Sequence, residues 1–101
     1  MGRWAQARRR GGGPPILNYI TRAQPVAADR VRLHYRSIVS ETDFTPTDFT
    51  SEPAGTPGDA IVQVGPTLLD LTLLGTVGAD TELLYSGATP GVVTPQTVLY
   101  T

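Results

Sequence analysis

Residues 30 to 37 read "RVRLHYRS", and their alternation decides the fold class. Val31, Leu33 and Tyr35 fall on one face, while Arg30, Arg32, His34 and Arg36 fall on the other. A period of two over six or more residues predicts a half-buried antiparallel strand. Working outward, "ILNYITRA" (16–23) has β-branched and aromatic residues and no helical stripe, so it reads as a second strand. "QPVAAD" between the two reads as a turn-like link.

Further along, "IVSETDFTPTDFTSEPAGTPGD" reads mostly as connection, with a short strand near Phe49. "AIVQV" (60–64) reads as a strand. "LLDLTLL" (68–74) places Leu69, Leu71 and Leu73 on one face, and Leu68 and Leu74 on the other point to a second covered side. "TELLYSG" and the terminal "TVLYT" complete the set, with one more strand expected around Val92 and Val93. Six or seven short strands with turn signals about ten residues apart predict an all-β fold, a single small β-sandwich. No helix of ordinary length is expected after residue 15.

The chain of 101 residues suits one domain. Two segments are expected: a basic arm over 1–15 and the sandwich over 16–101. All eight arginines lie within residues 1–36, where Asp29 is the one acid, and residues 37–101 hold eight acids and neither Lys nor Arg. Such asymmetry predicts a basic arm on an acidic body. A GC-rich genome accounts for the absence of lysine, but not for the confinement of every arginine to the first third.

The arm, "MGRWAQARRRGGGPP", has good helix formers over 1–10, and Trp4 and Arg8 stand one helical turn apart. A helix this short is marginal alone in water, so a partner must order it. Gly11, Gly12 and Gly13 read as a hinge, after which Pro14 and Pro15 restart the chain in an extended form. The basic start runs into "GGGPP" rather than an apolar stretch, so neither a secretory nor a twin-arginine signal is expected. The apolar runs are too short to span a bilayer, and no membrane partner is expected. A cytoplasmic protein, or a component of something assembled in the cytoplasm, follows.

No constellation of residues supports catalysis. Without cysteine, disulfides and thiolate sites are excluded. His34 is the one histidine and shares its strand face with arginines, which predicts a solvated side chain rather than a metal ligand or general base. "ETDFTPTDFTSE" gathers Glu41, Asp43, Asp48 and Glu52. Its spacing lacks the glycine of an EF-hand loop, so turn and cap roles are expected over calcium. The two "DFT" copies, five residues apart, read as coincidence. No cofactor and no metal are expected.

"PPILNYITRAQPVAADRVRLHY", "TPTDFT" and "AIVQVGPTLLDLTLLGTVGADTELLYSG" together resemble the Ig-like repeats of bacterial surface proteins and phage virion proteins, over about residues 15–101. In that family a Val-x-Leu-x-Tyr strand precedes a loop with an Asp-Phe-Thr element, and a Gly-Asp-Thr strand follows, here Ala79–Tyr85. The resemblance implies an Ig-like sandwich and no shared catalytic residues. Surface proteins of this type carry a signal peptide and several repeats. One repeat behind an Arg-rich start points instead to a small virion protein, assembled in the host cytoplasm.

Three readings of Arg3, Trp4, Arg8, Arg9 and Arg10 compete: an idle solvated tail, a phosphate binder, and a docking peptide anchored by Trp4. Docking is preferred, because Trp and Arg are the types enriched at interface hot spots and an acidic body repels nucleic acid. The expectation is a nonenzymatic virion protein, a capsid decoration or head or tail accessory protein. Its expected partners are a major capsid or tail protein and neighbouring copies of itself. A nucleic-acid-binding accessory protein and an Ig-like adhesin or carbohydrate-binding module are the alternatives.

Overall fold

The computed structural model describes residues 17–101. Its seven strands are β1 (Ile20–Ala27), β2 (Arg30–Tyr35), β3 (Phe49–Glu52), β4 (Thr56–Gly65), β5 (Leu68–Leu73), β6 (Glu82–Tyr85) and β7 (Gln96–Leu99). Two single-turn 3-10 segments, Glu41–Asp43 and Pro46–Asp48, are the only helical elements among the described residues. All strand pairs are antiparallel, in one sheet of order β1-β2-β5-β4-β3-β6-β7. The expected all-β character and strand number are present.

The sheet curls until it nearly closes. β4 turns the corner: Thr56 and Pro57 pair with β3, whereas Gly58 to Gly65 pair with β5. At the seam, β1 meets the residues just past β7 through an isolated parallel bridge between Ala23 and Tyr100, and Thr101 N–H donates to the Ala23 carbonyl at 3.0 Å. The Gln96 side chain acts as a substitute strand there. Its Oε1 accepts from Ile20 N–H at 3.0 Å and its Nε2 donates to the Ile20 carbonyl at 2.7 Å. This satisfies edge groups that an open sheet would leave as a template for aggregation.

The alternation in β2 holds: Val31, Leu33 and Tyr35 are buried, and the residues between them are not. Leu69, Leu71 and Leu73 of β5 are buried as well, while Leu74 is exposed. β1 differs from expectation. It runs through "QPVA" to Ala27, and the link shrinks to Ala28–Asp29. Pro25 is tolerated because β1 is an edge strand, where a missing N–H breaks no ladder. β4 starts at Thr56, four residues earlier than its apolar run suggests. Val92 forms only an isolated bridge with Asn18.

An aromatic cluster fills one end of the core. Phe49 and Tyr85 have ring centroids 4.8 Å apart, and Phe44 lies within 5.4–5.9 Å of Tyr35, Phe49 and Tyr85. The two "DFT" copies are no coincidence in the fold. In each, the Asp ends a 3-10 turn and the Phe leaves it in an extended conformation and enters the core.

Within this cluster the Tyr35 hydroxyl is buried and has no hydrogen-bond partner among the described residues. Burial, and secondarily Tyr85, push its pKa far above the ordinary tyrosine value. The unfolded chain therefore loses this proton near pH 10 while the folded chain keeps it. The stability it contributes is complete below that pH and is lost as pH rises further. Tyr35→Phe removes an unsatisfied polar atom at nearly constant shape, so stability at pH 7 is expected to stay equal or rise by about 1 kcal/mol. The variant should also lose less stability between pH 9 and pH 11, roughly, than the parent does. Urea unfolding at the two pH values checks both.

Candidate docking surface

The chain enters the described body at Leu17, and Asn18 locks it in place. Asn18 N–H donates to the Gly91 carbonyl at 2.8 Å, and Val93 N–H donates to the Asn18 carbonyl at 3.0 Å. Its side-chain Oδ1 accepts from Ser37 N–H at 2.9 Å and its Nδ2 donates to the Ser37 carbonyl at 3.3 Å. The arm's root is thus tied both to the exit of β2 and to the loop after β6.

Beside that root a groove runs between the Ser37–Val39 segment and the Thr89–Val92 loop, with Phe44 and Asp43 in its wall. It continues past Thr89 and Pro90 to Asp48 and Thr45. The loop side is held by Thr89. Its hydroxyl accepts from Tyr85 Oη at 2.8 Å and donates to the Asp43 carbonyl at 2.7 Å. Leu17, Tyr19 and Ile38, the last 79% exposed, leave apolar surface around this end. Asp43 and Asp48 supply negative charge, and among the described residues no Arg lines the groove.

The opposite charge gathers elsewhere. Arg22 pairs with His34 in register and Gln24 with Arg32, so the arginines of β1 and β2 share the outer face of the sheet with His34. Arg32 makes a two-pronged ion pair with Asp70, at 2.9 and 3.1 Å. His34 hydrogen-bonds Gln24 at 3.1 Å. Its pKa is lowered by burial first, then by Arg22 and Arg32, with Asp70 opposing. Arg30, Val62, Val64 and Thr72 line a second hollow together with Asp70.

Arg3, Trp4, Arg8, Arg9 and Arg10, together with the Gly11, Gly12 and Gly13 hinge, lie outside the described residues. The acids of "ETDFTPTDFTSE" are placed, and three have structural partners. Glu41 accepts from Gln63 N–H at 2.7 Å, Asp43 accepts from Ser40 N–H in a capping box, and Glu52 accepts from the Thr50 hydroxyl at 2.7 Å. Among the described residues no three Asp, Glu or His side chains converge as metal ligands, and no helix is long and apolar enough to cross a membrane. The groove itself escaped sequence reasoning. It is built from loops, where no periodicity marks a shared surface. Its one readable signal is the apolar Ile38–Val39 pair just past a strand end. Comparison with family models, with curated proteins and with solved structures finds no match to this chain.

Proposed function

We propose that this chain is a nonenzymatic structural protein of a bacteriophage virion, a capsid decoration or head or tail accessory protein that docks through its N-terminal arm. In this reading the curled sheet is an Ig-like sandwich, in keeping with the resemblance of residues 15–101 to Ig-like repeats. The observation that carries the proposal is the pinned root at Asn18. A segment bound to a particle orients its domain only if the joint between them is fixed on the domain side. Four arginines and one tryptophan then supply affinity, through charge-assisted contacts and a buried aromatic anchor.

The test is the full chain carrying W4A, R8A, R9A and R10A. It is expected to keep its unfolding temperature and to lose co-sedimentation with particles at least tenfold. Undiminished attachment would overturn the arm's role. A second reading, nucleic-acid binding, is favoured by the exposed Arg22 and Arg36 on the strand ends next to the arm's root. It requires affinity that falls steeply with salt.

A further inference from the structure

The groove beside the arm's root has an acidic, partly apolar character opposite to that of the arm. Residues 1–16 contain four arginines, one tryptophan and no acid. The groove offers Asp43 and Asp48, a wall formed by Phe44, and the exposed Ile38 at its rim. Asp43 and Asp48 form no salt bridge among the described residues, where Arg32–Asp70 is the only such pair. An arginine-rich segment brings the missing counter-charge, and an indole brings apolar area to the wall and rim.

Reach allows a second copy to supply it. Asn18 lines the groove, so each arm starts at the rim of its own groove. Trp4 precedes Leu17 by 13 residues, a span of about 40 Å when extended. Pro14 and Pro15 favour extension at the root. An extended arm would carry Trp4 past its own groove to a neighbour's, whereas a turn at the Gly11–Gly13 hinge would return it, and the concentration dependence of the Trp4 emission separates the two.

We propose that the groove between Ser37–Val39 and Thr89–Val92 receives the N-terminal arm of a second copy of this chain, with Trp4 against Phe44 and Ile38 and the arginines against Asp43 and Asp48. The contact joins two different surfaces, so copies close as a two-fold dimer where the exchange of arms is reciprocal and as rings or open strings where it is not. The inference rests on the arm being a docking element, as proposed above, and names what it docks to.

Trp4 is the chain's single tryptophan, so its emission reports on the arm alone. In the full-length protein at low salt, emission is expected to shift to the blue as concentration rises, together with sedimenting mass, and high salt should reverse both. Asp43→Asn with Asp48→Lys should abolish both changes. Ile38→Lys should do the same, and at a site so exposed it cannot unfold the core. The decisive step mixes the Asp43→Asn/Asp48→Lys chain with the arm variant W4A/R8A/R9A/R10A, each monomeric alone. A one-to-one dimer with blue-shifted Trp4 emission is expected, because one chain supplies the arm and the other the groove. A blue shift independent of concentration would overturn the proposal by placing the arm on its own chain. So would no shift at all, or one that survives the groove substitutions. If the proposal is overturned while the arm variant still fails to attach to particles, the arm docks on another protein and the proposed function stands.

Discussion

Phe49→Ala is expected to lower the unfolding free energy by about 3–5 kcal/mol. Phe49 has no exposed surface and lies at the head of β3, the short strand hydrogen-bonded between β4 and β6. Its ring meets Tyr85 at 4.8 Å and Phe44 at 5.9 Å. Truncation removes a large transfer contribution and leaves a cavity. The surroundings cannot close it, because the Phe49 backbone is in register with Tyr85 and the 3-10 turn before it is anchored by Phe49 N–H to the Pro46 carbonyl. For a domain of this size the loss corresponds to a fall of roughly 15–30 °C in Tm. Leu74→Ala is the control. Leu74 is 65% exposed, so its truncation should stay within about 0.5 kcal/mol. Thermal and urea unfolding followed by circular dichroism measures both. A cost below about 1 kcal/mol for Phe49→Ala would mean that the aromatic cluster is not the core of the fold.

The contrast between Phe49 and Leu74 also marks where the fold is legible in the chain. β2 announces itself because one face is covered, and burial then imposes a period of two; β5 keeps that period in Leu69, Leu71 and Leu73, although Asp70 on its other face is buried as well. Phe49 is readable for the same reason. β1 and β4 are not fully readable, because their remaining lengths are set by neighbours. Pro25 lies in a strand only because nothing pairs on its outer side, and Thr56 and Pro57 only because β3 is already in place. The closure is harder still. Gln96 clasps a backbone 76 positions away in the chain, and a lone glutamine carries no pattern that tells such a clasp from a solvated side chain.

The charge asymmetry was legible as composition and not as geometry. Residues 17–101 hold four arginines and nine acids, a net acidic body. Strand register nevertheless puts Arg22, Arg30, Arg32 and His34 on one outer face, while Asp43 and Asp48 lie by the groove. The body therefore presents both signs on separate surfaces. A net charge summed along the chain cannot show this, and separated surfaces of opposite sign suit contact between copies better than a uniform field does.

Gly58→Ala is the second large effect, and it tests the corner on which closure depends. Gly58 lies where β4 leaves β3 and joins β5, at a break in register between Gly58 and Ala60. Its backbone is not left-handed, so glycine is required here by space and not by φ. A Cβ at this position would overlap the Pro46 carbonyl oxygen and come within 2.7 Å of Leu71 Cδ1. The Leu71 methyl can rotate away at modest cost. The carbonyl cannot, because it accepts the Phe49 N–H bond that ends the 3-10 turn and starts β3. Overpacking plus partial loss of that bond is expected to cost about 3 kcal/mol. Gly55→Ala separates space from conformation: nothing lies within 4 Å of its added Cβ, but its φ is +78°, and the strain should cost only about 1–2 kcal/mol. Adding Leu71→Val to Gly58→Ala should recover little, since the carbonyl clash remains. Recovery to within about 0.5 kcal/mol of Leu71→Val alone would show that the side chain, and not the Pro46 backbone, holds β4 in its bend.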